Sequence, residues 1–113
     1  KIMKQIFPEM IMGLPEADIK FKGIKGWISQ SNDHQVVFME IDAIGEVAEH
    51  SHGAQWGFVL EGEMNLCIGG ITKIYKKGDS YFIPKNVLHS AVFKCKTWVV
   101  DYFADKDRYK SKI

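Results

Sequence analysis

The sequence predicts an all-β domain, a sandwich or barrel of short antiparallel strands, and three observations carry that prediction. Turn chemistry recurs at short intervals: Gly13-Leu14-Pro15, Gly23, Gly26, Ser31-Asn32-Asp33, Gly45, Glu61-Gly62, Gly69-Gly70, Lys77-Gly78-Asp79 and Pro84-Lys85-Asn86. Between these signals lie runs of about five to eight residues rich in valine, isoleucine, phenylalanine and tyrosine, as strands of a sandwich or barrel require. Helical patterning is scarce, and no linker, repeat or low-complexity stretch divides the chain.

Taken in order, residues 1–12 are rich in isoleucine and methionine and too apolar for a free tail, so residues 1–26 are expected to cover a sheet edge. Strands are expected over 26–30 and 35–41, on either side of the Ser31-Asn32-Asp33 turn, and over 47–52 and 56–61, the latter closing on Gly62. Residues 63–68 and 71–76 are joined by Gly69-Gly70, a two-residue connection whose tolerance of positive φ suits a tight hairpin. Residues 80–83 lie between the Gly78 and Pro84 turns, and 89–93 and 97–103 complete the set. The tail, 104–113, is polar enough for a short helix or a frayed end. Trp27, Trp56 and Trp98, with Phe38, Tyr81 and Phe82, fall at strand positions and are expected to pack the barrel or a subunit contact.

Composition narrows the function. A chain of 113 residues is about one domain, and 46% hydrophobic content is ample for its core. Fifteen basic against 14 acidic residues give a net charge of +1 without a basic block, so no nucleic-acid partner is expected. No apolar run approaches the ~20 residues of a membrane span, and the first residues lack the order of a signal peptide. A soluble cytoplasmic protein with no membrane partner is therefore expected. Cys67 and Cys95 sit in apolar stretches without a CxxC pairing and read as buried thiols.

Three of the four histidines fall in one ordered pattern: His50-Ser51-His52, then Gln55, then His89 five residues past Pro84. Because side chains alternate along a strand, His50 and His52 project to one face, while Gln55, Gly57 and Val59 share a face opposite to Trp56, Phe58 and Leu60. Three imidazole nitrogens and one amide oxygen in a cavity suit one divalent first-row transition metal, with positions open for water or substrate. Nickel, iron, manganese, zinc and copper all accept this donor set. His34, in the turn beside Asn32 and Asp33, is expected to stand apart.

At these residues the chain resembles the cupin superfamily, small antiparallel barrels with two short motifs. The first motif is matched by Gly45, His50, His52, Gln55 and Gly62, with glutamine in place of glutamate and a shorter loop before it. The second is matched by Gly78, Pro84, Asn86, His89 and Phe93, with Asn86 in place of glycine and Phe93 in place of asparagine. The resemblance spans 45–103 and implies a single domain over 1–113 with the fold of an antiparallel double-stranded β-helix, the jelly-roll barrel. It also implies a homodimer in which the N-terminal segment takes part.

One subgroup is more similar still: small cupins of pectin and alginate breakdown that act on unsaturated monouronates. Its pattern is matched by the run Gln55-Trp56-Gly57-Phe58-Val59-Leu60-Glu61-Gly62 and by Asp101-Tyr102-Phe103 followed by Arg108, one position later than in that group. This resemblance implies catalytic roles for Asp101 and Arg108, substrate contacts for Phe103 and Arg108, and metal ligation by His50, His52, Gln55 and His89. The chemistry agrees. A partly desolvated Asp101 can move a proton, Arg108 is the only arginine and its planar fork suits a sugar carboxylate, and Phe103 offers a face to a pyranose ring.

The expected activity is thus metal-dependent isomerisation or ring opening of a small acidic sugar. Two alternatives use the same residues: an iron dioxygenase acting on a small molecule, distinguished by oxygen uptake, and a non-catalytic module that binds a small ligand.

Overall fold

The computed structural model describes residues 5–113, so the first part of the apolar N-terminal segment, 1–4, lies outside the described residues. Within them the chain forms one short helix, α1 (Glu9–Met12), and nine strands: β1 (Ile24–Gln30), β2 (Gln35–Ile41), β3 (Gly45–His50), β4 (Gln55–Glu61), β5 (Glu63–Ile68), β6 (Ile71–Lys76), β7 (Ser80–Ile83), β8 (His89–Phe93) and β9 (Thr97–Phe103). All ladders are antiparallel. They make a five-stranded sheet in the order β1-β2-β9-β4-β7 and a four-stranded sheet in the order β3-β8-β5-β6, the two layers of an all-β jelly-roll.

Strand parity places the core. In β2 every second residue is buried (Gln35, Val37, Met39, Ile41), and in β8 the same holds for His89, Ala91 and Phe93. Val37, Val59 and Val99, all but inaccessible, sit on the inner face of the five-stranded sheet within the cluster that holds Leu66 and Phe93 of the other sheet. Each such side chain contributes about 1.5–3 kcal/mol by leaving water. At the β5–β6 hairpin Gly69 and Gly70 take φ of 56° and 85°, and Ile68 pairs with Ile71 across them, as the turn chemistry requires.

Several expectations are corrected. Strands β1, β3 and β4 begin at Ile24, Gly45 and Gln55, and β3 ends at His50, so His52 stands in a loop. Among the described residues before Ile24 no full strand forms, but residues 15–17 do cover the free edge of β1, with Ala17 N donating to Gly26 O and Ile28 N to Pro15 O, each at 2.8 Å. Pro8 and Pro15 cannot donate to a ladder, and the segment forms α1 and then isolated bridges, Glu16 to Trp27 and Ala17 to Ser111. Its apolar residues fold onto the outer face of their own sheet, where Phe7 lies 6.0 Å from Trp27 and 5.8 Å from Phe38.

The tail is neither a helix nor a frayed end. Asp18 N donates to Lys110 O and Lys112 N to Glu16 O, fastening it beside the N-terminal segment. Of the aromatic residues expected to pack, Trp27, Trp98 and Tyr81 are buried, but Trp56 and Phe82 are exposed on the outer face. Cys67 is half-buried and Cys95 exposed, so the pair is not buried as expected; both are free thiols. Cys95 lies in the turn before β9, where an apolar sequence neighbourhood does not translate into burial.

Candidate metal centre

The histidine cluster is assembled by pairing between distant strands. β3 runs beside β8, and their register sets His50 opposite His89. The ladder slips between Val47 and His50, which re-aims the end of β3. His52 follows in the loop before β4. That loop is tied down twice: Asn86 N donates to His52 O at 2.8 Å, and Gly53 N donates to Asp105 Oδ2 at 2.8 Å. Asn86, which replaces a motif glycine, has φ of 65°, and asparagine is among the few residues that tolerate this left-handed conformation.

The three imidazoles converge. One ring nitrogen from each of His50, His52 and His89 lies within 4.8 Å of the others, and Nε2 of His52 is 3.2 Å from Nε2 of His89. The Nδ1 atoms face backbone carbonyls: His50 that of Ala48 at 2.9 Å, His52 that of Gly53 at 2.8 Å, and His89 that of Val87 at 2.9 Å. A carbonyl only accepts, so each Nδ1 carries the proton and each Nε2 presents a lone pair to the cluster. Burial lowers the pKa of His52 to about 4 and lowers that of His89, each against the pull of its carbonyl, which keeps both rings neutral.

Gln55 opens β4 with its side chain turned inward, lining the same cavity. Its Oε1 is buried and has no partner among the protein atoms, while its side chain hydrogen-bonds Asp101. The amide nitrogen is therefore the group that meets the carboxylate. Lone pairs with no donor to share them are what a cation satisfies, so the donor set fits a metal ion of the kind cupins bind.

Asp101 and Phe103 face inward on β9 while Tyr102 faces out, as strand parity requires. Tyr81 donates to Asp101 Oδ1 at 2.6 Å. Burial raises the Asp101 pKa to about 6, opposed by the hydrogen bonds from Tyr81 and Gln55 and by the charge of Arg108. Burial likewise pushes the Tyr81 hydroxyl well above its usual range, reinforced by the Asp101 carboxylate.

Arg108 reaches the cavity from the tail. Its guanidinium carbon lies 4.3 Å from the Tyr109 ring centre and 5.7 Å from that of Phe103, and its Nε is a buried donor without a partner. The tail is held by Gln35, which is 1% exposed: Gln35 Nε2 donates to Tyr109 O at 2.8 Å, and Tyr109 N donates to Gln35 Oε1 at 3.0 Å.

All seven residues singled out from the sequence thus line one cavity: His50, His52, Gln55, His89, Asp101, Phe103 and Arg108. His34 stays apart, bonded to Asp33 at 2.6 Å and stacked on Tyr102 at 4.6 Å. Tyr81, Tyr109 and Gln35 join the site without belonging to the residues that the sequence singles out for it. Tyr81 carried a usable signal, since it shares the inward parity of Ile83 and a buried phenol needs a partner. For Tyr109 and Gln35 no local pattern announces a contact between residues so far apart in sequence.

Comparison with known proteins agrees with the geometry. The family model described as a cupin domain matches residues 36–95. An RmlC-like cupin from Shewanella frigidimarina is similar over 79% of this chain and 82% of its own, at 29% identity and a TM-score of 0.71. KdgF from Halomonas sp. is similar over 80% and 87% of the two chains, at 21% identity and a TM-score of 0.68, a likeness of fold. A salicylate 1,2-dioxygenase from Pseudaminobacter salicylatoxidans shares the fold over 75% of this chain and 27% of its own, at 19% identity and a TM-score of 0.68. No curated protein matches the sequence. Among the described residues no helix is long and apolar enough to cross a membrane. With the matching family model spanning more than half its length, and with three imidazoles gathered inside a jelly-roll, the chain belongs to the cupin family.

Proposed function

We propose that the protein is a metal-dependent isomerase that opens the ring of a small acidic sugar of the unsaturated uronate type. One observation carries this reading: the cavity that gathers the imidazoles and the orphaned Gln55 oxygen also holds a buried carboxyl and the unpartnered Nε of Arg108. A neutral metal-binding module needs neither of the last two. A substrate that is both oxygen-rich and anionic uses both.

His50, His52, Gln55 and His89 would hold one divalent ion, which when bound polarises substrate oxygens. Arg108 binds the sugar carboxylate through its free donor, and the rings of Phe103 and Tyr109 keep the guanidinium in place. Phe103 also presents an apolar face to the pyranose. Asp101, whose pKa burial raises to about 6 in the metal-free protein, is a carboxyl whose oxygen can take a proton from one substrate atom and return it to another. An isomerisation needs no more, since the product has the composition of the substrate.

The homodimer and the cytoplasmic location belong to this proposal. The row formed by Phe82, Trp56 and Tyr102, adjacent strands of the outer face, supports self-association through its exposed aromatic surface.

The test joins elemental analysis of protein purified without added metal to the loss of ultraviolet absorbance of an unsaturated uronate. One ion per chain and turnover that disappears in His89→Ala and Asp101→Asn are expected. Turnover unchanged in either variant refutes the assigned roles, and oxygen uptake with an iron-loaded sample would point to the dioxygenase instead.

A further inference from the structure

Gln55 stands where the motif has glutamate, and its surroundings give a reason. Side-chain amides have two nearly isosteric orientations, one presenting oxygen and the other presenting N–H. Here the oxygen of this cavity-lining residue lies buried and unpartnered, while the nitrogen meets Asp101. The reverse orientation would set the amide oxygen against a carboxylate, and a glutamate would set two carboxylates together. An amide alone offers a donor to one neighbour and an acceptor to the other from a single side-chain end.

Asp101 is itself held. Tyr81 on β7, Gly57 on β4 and Asp101 on β9 occupy one register row, Gly57 pairing with each of the others. Neighbouring strands are about 4.8 Å apart, so Tyr81 must reach across the whole of β4 to meet the carboxylate. It does so over the bare backbone of Gly57. A Cβ built there would overlap the Tyr81 ring and Asp101 Oδ1.

We propose that Asp101, pinned by Tyr81 across the gap left by Gly57, is what turns the Gln55 amide so that its oxygen faces the three imidazoles. Tyr81 and Gly57 are on this account positioning residues for a ligand they do not touch. The inference rests on the reading that His50, His52, Gln55 and His89 hold a cation, and it assigns Asp101 a part in building the site that is separate from proton transfer.

Cobalt(II) serves as the probe on the full chain, with its dissociation constant measured by chelator competition and its ligand-field absorption recorded. In Asp101→Asn the Tyr81 hydroxyl keeps the asparagine oxygen, and the new N–H group draws the Gln55 oxygen away from the imidazoles. Cobalt affinity is expected to fall about tenfold, as for loss of an outer partner of a ligand, with the absorption moving to that of Gln55→Ala. The double variant Gln55→Ala/Asp101→Asn should bind no more weakly than either single one. Tyr81→Phe, which keeps the carboxylate and the ring, should shift the spectrum in the same direction by less, and it carries the test if the Asp101 variant does not fold.

A parental cobalt spectrum in folded Asp101→Asn or Tyr81→Phe overturns the inference, as do losses that multiply in the double variant. His89→Ala separates the two levels. If it abolishes cobalt binding while the Asp101 and Tyr81 variants stay parental, the amide inference alone fails; if it binds like the parent, the cation reading fails and the inference with it.

Discussion

Gln35→Leu tests whether the tail is a structural part of the cavity. The substitution keeps roughly the side-chain volume and an apolar surrounding, but removes both hydrogen bonds that grip Tyr109. Two consequences compete. Either the tail stays in place with Tyr109 N and O dry and unpaired, at about 1–3 kcal/mol for each group, or it peels into water and gives up the packing of Tyr109 against Phe103. The cheaper of the two routes sets the loss, about 2–4 kcal/mol, a large share of the stability of a domain this size. Urea unfolding followed by tryptophan fluorescence measures the loss, and hydrogen exchange of residues 105–113 shows which route is taken. With a denaturant slope of about 2 kcal/mol per molar, the midpoint should fall by about 1–2 M. Arg108, left without its anchored neighbour, should bind uronate less well even where folding is complete. A variant within about 0.5 kcal/mol of the parent, with unchanged protection of the tail, would refute the argument that Gln35 is its clamp.

Further outcomes follow from other parts of the molecule. In metal-free protein the Asp101 pKa is raised from 3.8 to about 6, so its contribution to stability is fully present below pH 3.8 and is lost as pH rises through about 6. The stability of Asp101→Asn relative to the parent should therefore rise by about 3 kcal/mol between acid and neutral pH, read from urea midpoints in chelator; a pH-independent difference would contradict it. Asn86→Gly should be nearly neutral, whereas Asn86→Val should cost about 1–3 kcal/mol, because a β-branched residue is strained at a φ of 65°. Thermal scans of the two variants decide the point. A divalent ion present at about a hundred times its dissociation constant should add about 2.7 kcal/mol to the unfolding free energy, and His89→Ala should abolish that gain in a calorimetric scan.

What could be read from sequence divides along a physical line. Where a side chain's direction follows from strand parity, the reading holds: Gln55 and Val59 face inward, Trp56 outward, and Asp101 and Phe103 flank an outward Tyr102. Turn residues with positive φ mark the hairpin at Gly69-Gly70 as well. Parity is silent where ladders slip or end. His52 lies beyond the end of β3, and its approach to His89 depends on a loop tied to Asn86 and Asp105. Nor can local polarity foretell that the tail is drawn in by a buried glutamine, or that the apolar part of the N-terminal segment will settle on an outer face while only residues 15–17 run along the edge of β1. Those outcomes are decided by contacts between residues far apart along the chain.

The pairing of His50 with His89 across the β3–β8 ladder has a bearing on how the molecule comes into being. The donors come from opposite ends of the central sequence and meet only once β3 and β8, far apart along the chain, have paired. An unfolded chain offers at most the adjacent pair His50 and His52, a weak and floppy chelate. An ion can then reward the finished barrel but cannot template it, so metal supply should govern how long the native state persists and leave the speed of its formation largely untouched.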